Sequence, residues 1–299
     1  MHLKLTLNGS VDPFVNYLKN FVKIRPSLLI EIDTNEKAYV AKTFSEDRAS
    51  VRFSAISFDK CNMSIVKNDG EAELGNNRIK TGILIQLPKF IKIVERFGSD
   101  IDDKGNTNFD IVFDYDKMSN QDGTVDFVTT SISFASKTLK MKMDGFRLSE
   151  LKYLSDDKFN NIVFNVQDSV SFALEPSVIS SIIKTSDIIK MDPRKDALVF
   201  YVDKKDVYVK DYTGHDEKGK EKASNFVFKI GTLDAEPDYE INVTIFREKF
   251  IQMMDKSDEV YTVILGRRQA ANGSYVVDRI LFDSASTFTK VVISIINES

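Results

Sequence analysis

Tryptophan is absent from this chain of 299 residues, cysteine occurs once, histidine twice and proline six times. Each scarcity removes a class of function. The single cysteine, Cys61, excludes an intrachain disulfide and with it a disulfide-stapled secreted scaffold. Two histidines, His2 and His215, leave no His-rich metal site and no HExxH motif. His215 lies in Gly214-His215-Asp216-Glu217-Lys218 and reads as a solvated turn residue. Neither Gly-x-x-x-x-Gly-Lys-Ser/Thr nor Gly-x-Gly-x-x-Gly occurs, so no glycine-rich loop is available to cradle a phosphate. No apolar run approaches the roughly 20 residues that cross a bilayer; the nearest is the strand-like 291–296. The first residues, MHLKLTL, alternate like a strand and do not resemble a secretory leader, so the expectation is a reducing, intracellular compartment. The sequons at Asn8, Asn62, Asn242 and Asn272 then read as chance.

The remaining chemical candidates are weak. Cys61 has no histidine near it in sequence and reads as a small apolar filler. Asp100, Asp102, Lys104 and Gly105 imitate the start of a calcium loop, but the fifth position is a cation and the twelfth is Ile111 where a bidentate Glu belongs. The pairs Asp102-Asp103 and Asp156-Asp157 fall in turn-like segments where no raised pKa is expected. No catalytic constellation and no metal site emerges, so the chain reads as a non-enzyme without a cofactor.

What is present is a repeated pattern. Three short amphipathic helices open with proline, at Asp12-Pro13, Leu87-Pro88 and Glu175-Pro176, and a fourth begins near Phe246. Proline suits the first helical turn because its missing N–H would be unpaired there anyway. Pro13 and Pro88 are 75 residues apart, Pro176 and Phe246 are 70 apart, and the two pairs are offset by 163 and 158. That spacing is an internal duplication with two helices per half. The expected division is 1–150 and 151–299, with a connector at 144–160 where isolated Phe146, Leu148, Leu151, Tyr153 and Leu154 stand among charges.

Each helix segregates its residues. In the first, Phe14, Val15, Tyr17, Leu18, Phe21 and Val22 oppose Asn16, Lys19, Asn20 and Lys23. In the second, Leu87, Phe90, Ile91, Ile93, Val94 and Phe97 oppose Lys89, Lys92, Glu95 and Arg96. The third sets Val178, Ile179, Ile182 and Ile183 against Ser177, Ser180, Ser181 and Lys184. In the fourth, Phe246, Phe250, Ile251, Met253 and Met254 face away from Lys249, Gln252 and Lys256, with Glu248 and Asp255 on the polar side. Each helix is expected to pack on a sheet and to turn a face that is basic on balance toward water. A lysine face is most often just a solvated one; its recurrence at equivalent positions of a repeat is what argues for more. The formal net charge of −4 excludes a chain basic all over but permits a segregated field with one positive face.

The rest reads as β. Period-2 alternation or β-branched and aromatic enrichment marks 3–7, 28–33, 49–58, 83–86, 109–115, 125–134, 139–143, 162–166, 198–202, 207–211, 226–230, 239–244, 261–265, 275–282 and 289–296. The fold class is therefore α+β with extended antiparallel sheets.

A duplicated α+β domain with two basic-faced helices per half, and with the strand–helix run Gly82-Ile83-Leu84-Ile85-Gln86-Leu87-Pro88-Lys89-Phe90 opening the second repeat unit, resembles the DNA sliding clamps of the proliferating-cell-nuclear-antigen and phage type. The resemblance covers nearly the whole chain and is one of pattern, since such clamps carry no catalytic signature. It implies two clamp domains with sheets outside and helices lining a ring, encircling duplex DNA and tethering the replicative polymerase as a processivity factor. The implied DNA-facing residues are Lys19, Lys23, Lys89, Lys92, Arg96, Lys184, Lys249 and Lys256. The implied partners are double-stranded DNA irrespective of sequence, a DNA polymerase and a clamp loader through a short peptide motif, and two further copies in a homotrimer. The implied peptide pocket is bordered by Phe44, by Leu148, Leu151, Tyr153 and Leu154 of the connector, and by Ile293, Ile295 and Ile296. Closure requires an open edge strand in each half, expected at 125–134 and 206–212. Lysine far outnumbers arginine and Asn, Asp and Phe abound, a composition of AT-rich genomes, a phage among them. Two other readings stay open: an open, clamp-like processivity factor that holds DNA by charge, and a non-enzymatic β-rich viral assembly protein.

Overall fold

Alternation along the first strand shows how the sheets are built. Leu3, Leu5 and Leu7 are all fully buried while the residues between them reach solvent, so one face of the strand seals a core. The computed structural model describes residues 1–83, 86–101, 107–145, 148, 156–163, 168–188, 196–214, 222–254, 259–269, 273, 275–284 and 288–295. The chain divides into two compact units, one of Met1–Phe44 and Phe53–Leu154, the other of Ser45–Arg52 and Ser155–Ser299.

Unit 1 contains β1 (His2–Asn8), α1 (Asp12–Val22), β2 (Leu28–Asp33), β3 (Ala38–Phe44), most of β4 (Ser50–Ser57), a 3-10 turn (Asp59–Cys61), β5 (Met63–Asn68), α2 (Glu71–Leu74), β6 (Ile79–Ile83), α3 (Leu87–Gly98), β7 (Asn108–Ser119), β8 (Val125–Ala135) and β9 (Lys140–Asp144). Unit 2 contains the first residues of β4, then α4 (Asp156–Val163), β10 (Asp168–Leu174), α5 (Pro176–Ile188), β11 (Ala197–Asp203), β12 (Asp206–Asp211), β13 (Val227–Thr232), β14 (Asn242–Phe246), α6 (Arg247–Met254), β15 (Tyr261–Gln269), β16 (Tyr275–Ser284) and β17 (Thr289–Ser294).

The duplication is visible in the strand pairings. In unit 1, β2 lies between β3 and β6, β1 pairs with β7, and β7, β8 and β9 form a meander. In unit 2, β11 lies between β12 and β14, β10 pairs with β15, and β15, β16 and β17 form the equivalent meander. All these pairs are antiparallel, which lets the sequence neighbours among them be joined by short connections. Unit 1 adds β5 on the free side of β1 and a short parallel contact between β6 and β8.

The helices sit where the wheels place them, except that Phe246, expected on the buried face of the fourth, is instead the exposed last residue of β14. Phe14, Tyr17, Leu18 and Phe21 of α1 and Leu87, Phe90, Val94 and Phe97 of α3 are buried in the core of unit 1. Phe90 and Phe97 meet Phe134 of β8 with ring centroids 5.8 and 5.6 Å apart. In unit 2, Ile179 and Ile182 of α5 and Phe250, Met253 and Met254 of α6 are buried, and Phe250 packs against Phe200 and Phe282. At the end of unit 1's meander the chain leaves through Gly145, whose N–H donates to Thr130 O at 2.8 Å. A Cβ there would lie 2.2 Å from Thr129 O, so only glycine permits this approach.

Several expectations are corrected. Residues 162–166 read as a strand because Ile, Val and Phe cluster there, but Ile162 and Val163 complete α4, and the strand begins at Asp168. Asp156-Asp157 open α4 and are not a turn; acidic residues suit a first helical turn, where the backbone N–H groups point outward. The strand expected at 83–86 is β6, which ends at Ile83; Gln86 precedes α3, and residues 84 and 85 lie outside the described residues. Neither expected edge is open. β8 carries β7 on one side and β9 and β6 on the other, and β12 lies between β11 and β13. High β propensity made both segments attractive as edges, but strong strand formers belong as readily to sheet interiors.

Candidate nucleic-acid interface

α1 and α3 lie side by side on unit 1. Phe14 meets Phe90 edge-on at 6.3 Å beneath them, and Lys19 Nζ reaches Glu95 Oε1 at 2.8 Å above. Burial of the apolar stripes leaves one outcome for the remaining positions, and Lys19, Lys23, Lys89, Lys92 and Arg96 are all exposed. The Lys19–Glu95 pair is solvated, its side chains 54% and 43% exposed, so it is a weak and replaceable contact. Lys89 and Lys92 make no ion pair among the described residues. Arg96 bears on Asp100, whose carboxyl is held below its usual range first by hydrogen bonds from the Ser136 and Thr138 hydroxyls and then by the guanidinium charge. This is a water-facing group of cations on exposed side chains. It can attract phosphates through charge that carries no sequence information.

The helices of unit 2 behave differently. Lys184 of α5 is exposed. Lys249 of α6 is only 14% exposed, and its ammonium lies 2.9 Å from Asp47 Oδ2. Burial works against the Asp47 carboxylate, but hydrogen bonds from the Ser45 hydroxyl, Lys249 and the Ala49 N–H outweigh it and bring the pKa down to about 2. Lys249 was expected on the open polar face; it is instead a tie between α6 and residues Ser45–Arg52 of unit 2, where Arg52 Nη1 also donates to Met253 O at 2.6 Å. Sequence reasoning missed Arg247, which lies 2.6 Å from Asp196 and 2.8 Å from Asp187 and links the start of α6 to the end of α5. No local signal marks it, because its partners are 51 and 60 residues away. Lys256 lies outside the described residues.

Of the residues implied for a peptide pocket, Phe44 is half-buried beneath the Arg25 guanidinium, 4.6 Å from its ring centroid, and Leu148 is half-buried. Ile293 is fully buried, paired with Ile280 inside the β16–β17 ladder, so it belongs to the core of unit 2 and offers no open face. Ile295 is half-buried just beyond β17; Leu151, Tyr153, Leu154 and Ile296 lie outside the described residues. Cys61 is buried, its thiol pushed up to about 12 by that burial, which fits a filler and not a nucleophile. Among the described residues no group of three or more His, Cys, Asp or Glu could hold a metal ion, and no helix is long and apolar enough to cross a membrane.

No protein-family model and no curated protein matches the sequence. Solved structures do match the fold. The chain superposes on A. fulgidus PCNA, solved with a C-terminal region of FEN-1 bound, with a TM-score of 0.60, 11% identity and 99% of both chains covered. The chain has the DNA sliding-clamp fold. The DNA polymerase III beta chain of Streptococcus pneumoniae has it too, with a TM-score of 0.59 and 12% identity over 99% of this chain and 66% of that one. So does the Helicobacter pylori beta clamp bound to a DNA ligase peptide, at 0.57 and 11% over 98% and 67%. In the clamp fold of this chain the two halves repeat the same strand pairings, and the mixed α+β class expected from the sequence is the one observed. At such identities the likeness lies in the fold alone.

Proposed function

We propose that the chain is a ring-forming processivity factor: three copies close around duplex DNA and tether a DNA polymerase and its loader through short peptides. The observation that carries this reading is the end-to-end match to a PCNA chain, 99% of each, against 66% of a bacterial beta chain. A chain of the shorter class supplies two domains, and three such chains make the six-domain ring that the resemblance implies. A clamp acts wherever DNA is being replicated inside the cell, and solved clamps of this fold are bound to a C-terminal region of FEN-1 and to a DNA ligase peptide.

The duplication also indicates which edges would close the ring. In unit 2, β17 has β16 on one side and the first residues of β4 on the other, with Ser294 N–H donating to Ala49 O at 2.7 Å. By position in the repeat, β9 is the counterpart of β17 and β13 that of β4. Among the described residues β9 and β13 each have one strand partner and an open side. Pairing β9 of one chain with β13 of the next repeats between chains a ladder the fold already makes, and it hides two edges that would otherwise invite aggregation. The cations of α1 and α3 then hold DNA loosely. Lysine, a hydrated point charge on a flexible stem, attracts phosphates without the bidentate grip of arginine and so permits sliding.

The test is a solution mass with a retention assay. Light scattering at micromolar concentration is expected to give three times the 34.0 kDa chain mass, and loaded protein should persist on circular DNA but run off linear DNA of the same sequence. A monomer that binds both forms equally would replace this reading with the open, charge-held factor.

A further inference from the structure

We infer that, among the described residues, the attraction for the phosphate backbone is concentrated in unit 1, on the α1/α3 face, and that Arg247 and Lys249 of α6 are neutralised by their own unit's carboxylates. The inference rests on the reading above that duplex DNA is the ligand, and it goes beyond that reading because a duplicated domain with equivalent helices leads one to expect equivalent faces.

The two faces differ in what their cations already touch. On unit 1, Lys89 and Lys92 are exposed with no ion pair among the described residues, and Lys19 is held only by the solvated Glu95. On unit 2, Arg247 is 20% exposed and is taken by two carboxylates, Asp196 at 2.6 Å and Asp187 at 2.8 Å. Lys249 is 14% exposed on Asp47 at 2.9 Å. Glu248 is exposed on the same helix and adds the wrong sign for a phosphate. That leaves Lys184 as the exposed cation of α5 and α6 among the described residues. Asp187 stands three positions further along the same helix, a spacing at which side chains are neighbours, and is 62% exposed. The rest of the α5 face is hydroxyls, and Ser181 Oγ donates to its own helix at Ser177 O, 2.8 Å away.

Only cations that neutralise phosphates release counterions, and their number sets the salt dependence of binding. An ammonium that must first abandon a partly buried carboxylate gains little from a phosphate in water. Each chain in a closed ring therefore offers the duplex one attractive face and one nearly neutral face, and three attractive sites alternate with three neutral ones.

The experiment uses the full-length protein and a short duplex of mixed sequence, with apparent Kd measured against NaCl concentration. The double variant Lys89→Ala/Lys92→Ala is expected to flatten the log–log slope by up to about 0.9 per contact removed. Lys184→Ala and Lys249→Gln are expected to leave the slope where it was. Lys184 is exposed and its substitution does not endanger the fold, so this arm is decisive even if Lys249→Gln loosens α6. A slope that falls for Lys184→Ala by half as much as for the double variant, one contact's worth, would overturn the asymmetry while leaving DNA as the ligand. A slope that none of the variants moves would overturn the asymmetry and the DNA reading together.

Discussion

Asp47 is the residue on which a pH dependence of unit 2 can be built. Its folded pKa of about 2 lies below the ordinary 3.8, so the charged form favours the folded state. The sign follows directly: this stabilisation is complete above pH ~4 and disappears as the pH falls toward 2. The side chain is 49% exposed, so solvent discounts the effect to about 1 kcal/mol or less. Asp47→Asn should be less stable than the parent by that amount in urea unfolding at pH 7, and the two should converge by pH 2. A gap of constant size across that range would mean that the Lys249 pair contributes nothing through charge. Buried ionic groups of unit 1 teach a related lesson. Glu31 and Lys42, nearly inaccessible at 3.2 Å from each other, lie on adjacent strands, and of the two only Glu31 falls in a segment expected to be a strand.

At the scale of the element, the open strands decide what the protein can assemble into. β13 pairs only with β12 among the described residues, and its Val227 is 52% exposed; β9 pairs only with β8, and its Met141 is 38% exposed. Apolar side chains on unpaired strands are a liability unless another chain covers them. Val227→Asp places a charge on such a strand while costing the isolated chain on the order of 0.5 kcal/mol or less, as exposed substitutions do. The expected result is a single-chain mass with unchanged circular dichroism and melting. An intact trimer would show that β13 is not the closing strand. Helices α1, α3 and α5 were legible from sequence because a period of 3.6 and a proline at the start are local properties, whereas α2 and α4, which lack that proline, were not. Strand interiors and edges were not, since any alternating segment can occupy either.

If the molecule is the processivity factor proposed above, it also recruits partners, and here the prediction concerns the apolar residues of the connector and C-terminus. Ile295, half-buried past the end of β17, is the described residue best placed to contribute to a peptide site. A buried anchor commonly carries 2 kcal/mol or more, on the order of thirtyfold in affinity. Ile295→Ser is expected to weaken binding of the cognate polymerase's C-terminal peptide by about that factor with the solution mass unchanged, and Leu151→Ser to do the same. Undiminished affinity in both variants, each with its assembly intact, would remove this site from consideration.

The sequence by itself determined the class, the repeat and the basic faces. Pro13, Pro88 and Pro176 opened their helices, the alternation of Leu3, Leu5 and Leu7 put them in a core, and the stripes of α1 and α3 turned their lysines to water. These follow from periodicity, which reports on neighbours three or four residues away in a helix and two away in a strand. Tertiary structure alone decided which cations stay available. Lys249 and Lys89 look alike on a helical wheel, yet one meets an aspartate some 200 positions earlier in the chain and the other meets none among the described residues. It also decided that 125–134 and 206–212 lie inside their sheets, that β9 and β13 lie at edges, and that Ser45–Arg52 belong with the second unit. Charge pairing and strand order depend on contacts between residues far apart in sequence, and a local pattern carries no record of them.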